Sequence, residues 1–244
     1  MKKYLSVFMI YVRSSIYKAA ALFAAMAAVQ LVLYQVYATE RLKDLHKFAG
    51  VEELLQQSGL FVAFGVAFVL LTLILCYNGC EFSGKQGYTL RRLRISERSV
   101  FLLQSSANAL FYTLFWLCEI VIIRALMAIY LKSVPEEIYT NQMLMLSFYR
   151  NDYIGQIMPL SNLTILVRNI IWVLAMAVTS AFFPYMQRRR RIGFSVIIMA
   201  AIVIASAMAD NDISVQALPI VWAVLIIFAI LWRVMRGECD EKEA

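Results

Sequence analysis

Few side chains in this sequence are suited to catalysis. Glu52 and Glu53 form an adjacent acidic pair, and paired carboxylates can hold a metal ion that activates water when other polar groups complete the site. Gln57 stands where the acidic-pair pattern EExxxR requires arginine, and the only histidine, His46, lies in a predicted loop. No GxSxG or HExxH pattern supports a serine or zinc protease. Metal-assisted hydrolysis is therefore not expected, and the acidic pair is better explained as charge that keeps a loop in water.

The cysteines are the other candidates for metal or redox chemistry. The chain has four, at Cys76, Cys80, Cys118 and Cys239, and the first two are one helical turn apart. Zinc sites use closer CxxC pairs or additional His and Cys ligands. No cysteine falls in a predicted external loop, so no extracellular disulfide framework is expected. We predict packed free thiols at Cys76 and Cys80, and neither a metal nor a cofactor in this chain.

Three charged residues lie inside long apolar runs, where a charge that faces lipid is costly: Glu119, Arg124 and Arg168. One interpretation places them along a polar substrate route or in a lock between helices. The other, which we favour, places Arg124 and Glu119 near headgroups at the end of a projecting helix, with Arg168 snorkelling to the membrane surface. Four amide side chains are expected to form hydrogen bonds between helices: Gln30, Gln35, Asn108 and Asn169.

The elements that position these residues are predicted to be membrane-spanning helices. Of the 244 residues, 62% are hydrophobic and 16% charged, the mean hydropathy is +0.70, and soluble domains are closer to a quarter charged. Apolar runs of about 18 residues match the ~30 Å hydrocarbon layer, where the backbone must satisfy its own hydrogen bonds. We predict a single all-α transmembrane domain over residues 1–244 with six spans, at 19–38, 59–77, 100–131, 160–186, 192–209 and 215–232. The third run is too long for one perpendicular crossing and must tilt, project or break.

Basic residues set the predicted orientation, because cytoplasmic segments retain Lys and Arg. One set of segments carries sixteen of them: Lys2, Lys3, Arg13, Lys18, Lys85, Arg91, Arg92, Arg94, Arg98, Arg188, Arg189, Arg190, Arg191, Arg233, Arg236 and Lys242. The opposite loops carry five. Both termini are therefore predicted in the cytoplasm, with residues 233–244 as a tail. The net charge of +7 follows from this topology, and no basic soluble module for nucleic acid is recognisable.

The first eighteen residues have two interpretations. Arg13 and Lys18 interrupt the apolar stretch, which argues against a signal peptide. The basic residues share one sector of a helical wheel, and this favours an amphipathic helix over residues 1–18 that lies along the inner membrane interface. Alternatively, the first span simply begins early.

The segment between the second and third spans, EFSGKQGYTLRRLRISER from Glu81 to Arg98, is more patterned than a plain connector. Gly84 and Gly87 punctuate it, and after Tyr88 large apolar residues alternate with arginines, which predicts a short interfacial helix. Together with the N-terminal helix and the six spans, this loop makes the chain resemble an ABC-2-type transporter permease of the small bacterial six-helix kind.

The resemblance implies that this loop contains a coupling helix that contacts a separate ATPase subunit. The residues at this contact are Tyr88, Thr89, Leu90, Arg91, Arg92, Leu93 and Arg94, with Glu81 beside them. The sequence has no GxxxxGK[ST] phosphate loop, so ATP and Mg²⁺ are expected in the partner. The resemblance also implies a second permease subunit, identical or homologous, in a bacterial cytoplasmic membrane, and export of an amphipathic, peptide-like or drug-like substrate.

One feature departs from relatives that resemble polysaccharide and lipid exporters, which often carry an external re-entrant element between spans five and six. Here residues 210–214 leave no room for it, and the larger external loop, 132–159, joins spans three and four. Two alternative functions remain. One is a membrane protein that transports nothing, such as an assembly factor or sensor with basic inner loops. The other is an ion-coupled secondary transporter, which predicts paired intramembrane acids and broken helices.

Overall fold

The structure of the chain is a computed structural model. It describes residues 2–41, 55, 57–80, 95–133, 151–157, 163–191, 193–207 and 213–236. Three groups of residues singled out in the sequence lie outside these ranges: the predicted docking residues Glu81 and 88–94, the acidic pair with His46, and residues 237–244 of the tail.

All the regular elements among the described residues are α-helices. Their bounds are Lys2–Arg41 for α1, Leu60–Gly79 for α2, Glu97–Ser133 for α3, Asp152–Ile157 for α4, Leu163–Arg188 for α5, Ser195–Ala207 for α6 and Ile213–Arg236 for α7. Five of these helices, α1, α2, α3, α5 and α7, are long and apolar enough to cross a membrane. The fifth predicted span, 192–209, corresponds to α6, whose 13 residues rise only about 20 Å.

Helix α1 is continuous through the predicted boundary at residue 18. It has 40 residues and contains neither glycine nor proline, so nothing in its sequence ends the helix before Arg41. At 1.5 Å per residue it is about 60 Å long, twice the hydrocarbon thickness. The prediction of a separate interfacial helix over residues 1–18 is therefore corrected: residues 2–18 belong to the same helix as the first predicted span.

Helix α3 corresponds to the long third apolar run, 100–131, which was predicted to tilt, project or break. Its 37 residues form one helix without glycine or proline, about 55 Å in length. A break is excluded, and the helix must tilt or project beyond the hydrocarbon. Helices α5 and α7 do contain proline, at Pro184 and Pro219, and both continue past it.

Large apolar side chains on the outer faces of the helices are exposed. Val121 is 66% exposed, Ile197 66% and Phe228 63%. Such a surface is unfavourable in water and causes no penalty in hydrocarbon. Length, apolar composition and this exposed apolar surface together define an all-helical membrane protein.

The contacts divide the chain into two compact units. The first comprises Met1–Ala20, Val69–Thr113 and Val167–Ala244, and the second comprises Ala21–Phe68 and Leu114–Leu166. The core of the first unit is built on residues of α3, α5 and α7: Phe101, Ala181, Phe182, Tyr185, Met186, Ile230 and Val234. In the second unit the ring of Phe115 packs against three phenylalanines, with centroids 5.8 Å from Phe23, 4.9 Å from Phe64 and 6.3 Å from Phe68.

Candidate functional site

Both ends of the predicted docking segment are described, although the segment itself lies outside the described residues. On its N-terminal side α2 ends at Gly79, and on its C-terminal side α3 begins at Glu97. Gly79 is in close contact with its neighbours: a Cβ at this position would lie 2.6 Å from Pro184 Cγ and would collide with Gln104 Nε2. Only glycine therefore allows α2, α3 and α5 to approach this closely.

Two consecutive arginines at the end of α5 bind these two helix ends. Arg188 Nη2 donates to Gly79 O at 3.5 Å and to Gln104 Oε1 at 3.4 Å, and also to the Tyr11 hydroxyl at 3.3 Å. Arg189 Nη2 forms an ion pair with Glu97 Oε2 at 2.8 Å. The helix ends on either side of residues 81–94 are thus joined through one turn of chain.

The chain turns sharply after these arginines. Arg190 adopts a φ of 55°, in the left-handed region that non-glycine residues seldom occupy. The Arg189 and Arg191 amides both donate to Met186 O at 3.0 Å, which satisfies a carbonyl near the end of the helix. Positive charge here also interacts favourably with the C-terminal end of the helix dipole.

A further polar contact joins α1 to α2 in the same unit. Lys18 Nζ donates to Asn78 Oδ1 at 2.7 Å, and Asn78 Nδ2 donates to Ser15 Oγ at 2.9 Å. The Lys18 ammonium also lies 5.6 Å from the centre of the Tyr77 ring. Lys18 therefore contributes to helix packing as well as to the charge of the N-terminal segment.

Small polar side chains connect α2, α3 and α5. Asn108 Nδ2 donates to Ser180 Oγ at 2.8 Å, and the Tyr112 hydroxyl donates to Thr72 Oγ1 at 3.0 Å. The expected role of Asn108 as an interhelical hydrogen-bond partner is confirmed. Cys76 and Cys80 are buried free thiols, as predicted.

Glu119 is the centre of a buried polar cluster in the second unit. Gln30 Nε2 of α1 donates to both carboxylate oxygens, at 2.9 and 3.1 Å, and the Tyr153 hydroxyl of α4 donates to Oε1. Glu119 and Gln30 are 0% exposed. Other helices of the chain therefore enclose the Glu119 carboxylate, so it does not face lipid, and its position near headgroups stays a prediction. The interhelical role predicted for Gln30 is confirmed.

The hydroxyl of Tyr153 remains a donor at neutral pH. Burial, together with the adjacent carboxylate, raises the pKa of Tyr153 well above its usual value. The three side chains of this cluster, Gln30, Glu119 and Tyr153, tie α1, α3 and α4 together.

Arg168 lies in the first unit, near the start of α5, and is 1% exposed. Its guanidinium carbon is 4.2 Å from the centre of the Trp172 ring, and Nη2 is 3.4 Å from Asn169 Oδ1. Its Nε and Nη1 are buried and, within the part of the chain that the structure describes, have no hydrogen-bond partner. The prediction that Arg168 snorkels to the surface is therefore wrong. Arg124, in contrast, is exposed, as that same interpretation required.

The sequence predicts the partner of Arg168 better than it predicts the partners of Glu119. Trp172 follows Arg168 by four residues, a spacing that places the two side chains on one face of a helix. Tyr153 lies in a region predicted to be a loop, and no local pattern connects it with Glu119. Among the described residues, no three His, Cys, Asp or Glu side chains are grouped so that they could hold a metal ion.

The fold and these buried charges define the class: a membrane protein built from several apolar helices, with polar clusters inside. Comparison of the chain with protein-family models, with curated proteins and with solved structures finds no match.

Proposed function

We propose that this chain is the permease subunit of an ATP-binding cassette transporter that exports an amphipathic, peptide-like or drug-like substrate. A separate ATPase subunit, which holds ATP and Mg²⁺, docks on Glu81 and on residues 88–94. A second permease subunit, identical or homologous, completes the transport pathway.

The proposed topology has six spans in a bacterial cytoplasmic membrane and both termini in the cytoplasm. The five long helices supply five of the spans, and α6 lies in the remaining one, the fifth along the chain. The distribution of basic residues supports this orientation, because the arginine-rich segments all fall on one side.

The observation that carries the proposal is the connection between the two ends of the docking segment. Arg188 binds the end of α2 at Gly79, and Arg189 binds the start of α3 at Glu97. Because Arg188 ends α5 and Arg189 follows it directly, a partner that moves residues 81–94 would move the adjoining ends of three helices together. Coupling of ATP hydrolysis to transport requires such a linkage between the loop and the helices.

The exposed apolar face of α7 supports a second permease subunit. Leu218, Leu225 and Phe228 are 63%, 53% and 63% exposed. This surface suits either lipid or another apolar helix, and a pathway built from two copies of a six-helix chain would use part of it.

The two alternatives explain less of the structure. An assembly factor or sensor would use the same basic loops and would not require the helix ends around residues 81–94 to be joined. An ion-coupled transporter predicts paired acids and interrupted helices, whereas Glu119 is bonded to Gln30 and Tyr153, and α1 and α3 are continuous.

The proposal is tested by purifying the tagged chain from cells that express the genes encoded beside it. An ATPase subunit of a few tens of kilodaltons should be retained, and Leu93→Asp should release most of it, because a charge would enter an apolar contact. Phe194→Asp is the matched control, since Phe194 is an apolar residue that is already 61% exposed and lies outside α7, and it should retain the ATPase. Full retention by Leu93→Asp would contradict the docking assignment, and purification without any ATPase would favour the assembly factor or sensor.

A further inference from the structure

The environment of Arg168 is unusual because a buried cation lacks an anionic partner. Arg168 has no ion pair within the described residues, and its one hydrogen bond there, to Asn169 Oδ1, is 3.4 Å long. Among the residues that the structure describes, the N–H groups on Nε and Nη1 have no acceptor, and the buried indole Nε1 of Trp172 also has none. A guanidinium has five N–H donors and no acceptor, so these two side chains present only donors.

Unpaired buried donors are costly to keep. A buried donor without an acceptor costs about 1–3 kcal/mol, and more when the group is charged. The contact with the Trp172 ring compensates in part, because a desolvated cation over an aromatic face gains about 2 kcal/mol. It leaves the in-plane N–H groups without an acceptor, since the ring interacts only with the face of the guanidinium.

We infer that Arg168 and Trp172 bind one oxyanion, a phosphate or a carboxylate, from a molecule outside this chain. An oxyanion supplies what both side chains lack: acceptor oxygens and a negative charge. A neutral carbonyl would provide acceptors and leave the positive charge unbalanced.

The anion has two chemical sources that the binding residues do not distinguish. It belongs either to the headgroup of an anionic lipid or to a solute with a phosphate or carboxylate group. The site stands independently of the transporter proposal, because binding to Arg168 requires neither an ATPase nor a second subunit.

The experiment measures ligand-induced thermal stabilisation of the purified full chain in dodecyl maltoside, a detergent without phosphate or carboxylate. One arm adds phosphatidylglycerol, with phosphatidylcholine as the zwitterionic reference. The other arm adds octyl phosphate, with octyl glucoside as the uncharged reference. At least one anion should raise the midpoint of unfolding above its reference. Stabilisation by phosphatidylglycerol alone identifies a lipid, and stabilisation by octyl phosphate identifies a solute.

Three variants connect this stabilisation to the site. Arg168→Gln should raise the apparent Kd for the effective anion about tenfold or more, as expected for loss of charge-assisted hydrogen bonds. Trp172→Phe keeps an aromatic ring and removes the indole donor, so it should raise the Kd severalfold, and it tests the site even if Arg168→Gln does not fold. Arg124→Gln, at an exposed arginine, should leave the Kd unchanged.

Two results would overturn the inference. One is an apparent Kd for the effective anion that is the same in Arg168→Gln or Trp172→Phe as in the unaltered chain, which would place the anion elsewhere. The other is the absence of stabilisation by both anions in the unaltered chain.

Discussion

The two buried charges among the described residues, Glu119 and Arg168, differ in what surrounds them. In the second unit, the Glu119 carboxylate accepts hydrogen bonds from Gln30 and Tyr153. In the first unit, the Arg168 guanidinium stacks on Trp172, and two of its nitrogens have no acceptor among the described residues. Both side chains are almost completely buried, so exposure does not account for the difference.

The comparison shows that burial of a charge does not identify its role, whereas the origin of its partners does. Hydrogen bonds from the same chain offset the desolvation cost of a buried charge, and removal of one partner leaves the charge buried and unpaired. A charge without such partners reduces stability, and proteins retain costly groups of this kind where they bind something. We therefore assign Glu119 to a lock between helices and Arg168 to binding, and three substitutions test this contrast.

The largest effect is expected at Gln30. Gln30→Leu removes both hydrogen bonds that α1 donates to the buried Glu119 carboxylate, and should lower the free energy of unfolding by about 3 kcal/mol. The measurement is equilibrium unfolding of the purified chain in mixed micelles. The matched control is Gln35→Leu, an exposed glutamine on the same helix, which should change the free energy by less than about 0.5 kcal/mol.

The Gln30 comparison also has a compensating variant. Adding Glu119→Leu to Gln30→Leu removes the unpaired carboxylate, so the double variant should recover part of the lost stability. If Gln30→Leu and Gln35→Leu have the same free energy of unfolding, Glu119 does not lock the helices together, and the contrast with Arg168 fails.

A smaller effect is expected at Tyr153. Tyr153→Phe removes one donor to the carboxylate and should cost about 1.5 kcal/mol at pH 7. Because burial and Glu119 raise the pKa of Tyr153 in the folded chain, the phenol is protonated in both states below its ordinary value of about 10. Above that pH the unfolded state loses the proton first, so the stability advantage of the unaltered chain over Tyr153→Phe should shrink.

The measurement for Tyr153 is the unfolding free energy of both proteins between pH 7 and pH 11. Tyr17→Phe, at a residue 80% exposed, serves as the control and should match the unaltered chain at pH 7. If the difference in unfolding free energy between the unaltered chain and Tyr153→Phe grew above pH 10, Tyr153 would not act as a buried donor.

Much of this architecture was predictable from the sequence, since apolar length and the absence of glycine and proline determine where helices run. The second, third, fourth and last predicted spans correspond to α2, α3, α5 and α7, with shifted boundaries. The continuous helix through residue 18 was only the second of two interpretations, because the basic residues suggested an interface. Helix continuity depends on the backbone and not on which solvent a side chain meets.

The surroundings of the buried charges were less predictable, because they depend on contacts between distant segments. Gln30 and Glu119 are 89 residues apart, and Tyr153 comes from a short helix within a predicted loop. A single sequence shows which residues are costly to bury, and it does not show which helical faces meet. For Arg168, the four-residue spacing predicts the contact with Trp172. The sequence does not predict that the guanidinium N–H groups lack an acceptor among the described residues.

The smallest effect, and the sharpest test of the contrast, is expected for Arg168→Met. In micelles free of anionic lipid, this substitution removes a desolvated guanidinium whose unmet donors together cost at least about 2 kcal/mol. It also removes the stacking contact with Trp172, which contributes about 2 kcal/mol in the opposite direction. Since the first contribution is at least as large, the free energy of unfolding should stay the same or rise by about 1 kcal/mol.

The control for Arg168 is Arg124→Met, in which an exposed arginine is replaced, with an expected change within about 0.5 kcal/mol. A loss of 2 kcal/mol or more in Arg168→Met would place Arg168 with Glu119 as a structural group. In contrast, unchanged or increased stability, combined with loss of anion binding, would separate the two charges. The unpaired charge of Arg168 would then lower the stability of the chain without ligand. An anion that binds only the folded chain restores this free energy of unfolding, and this explains why the arginine is kept.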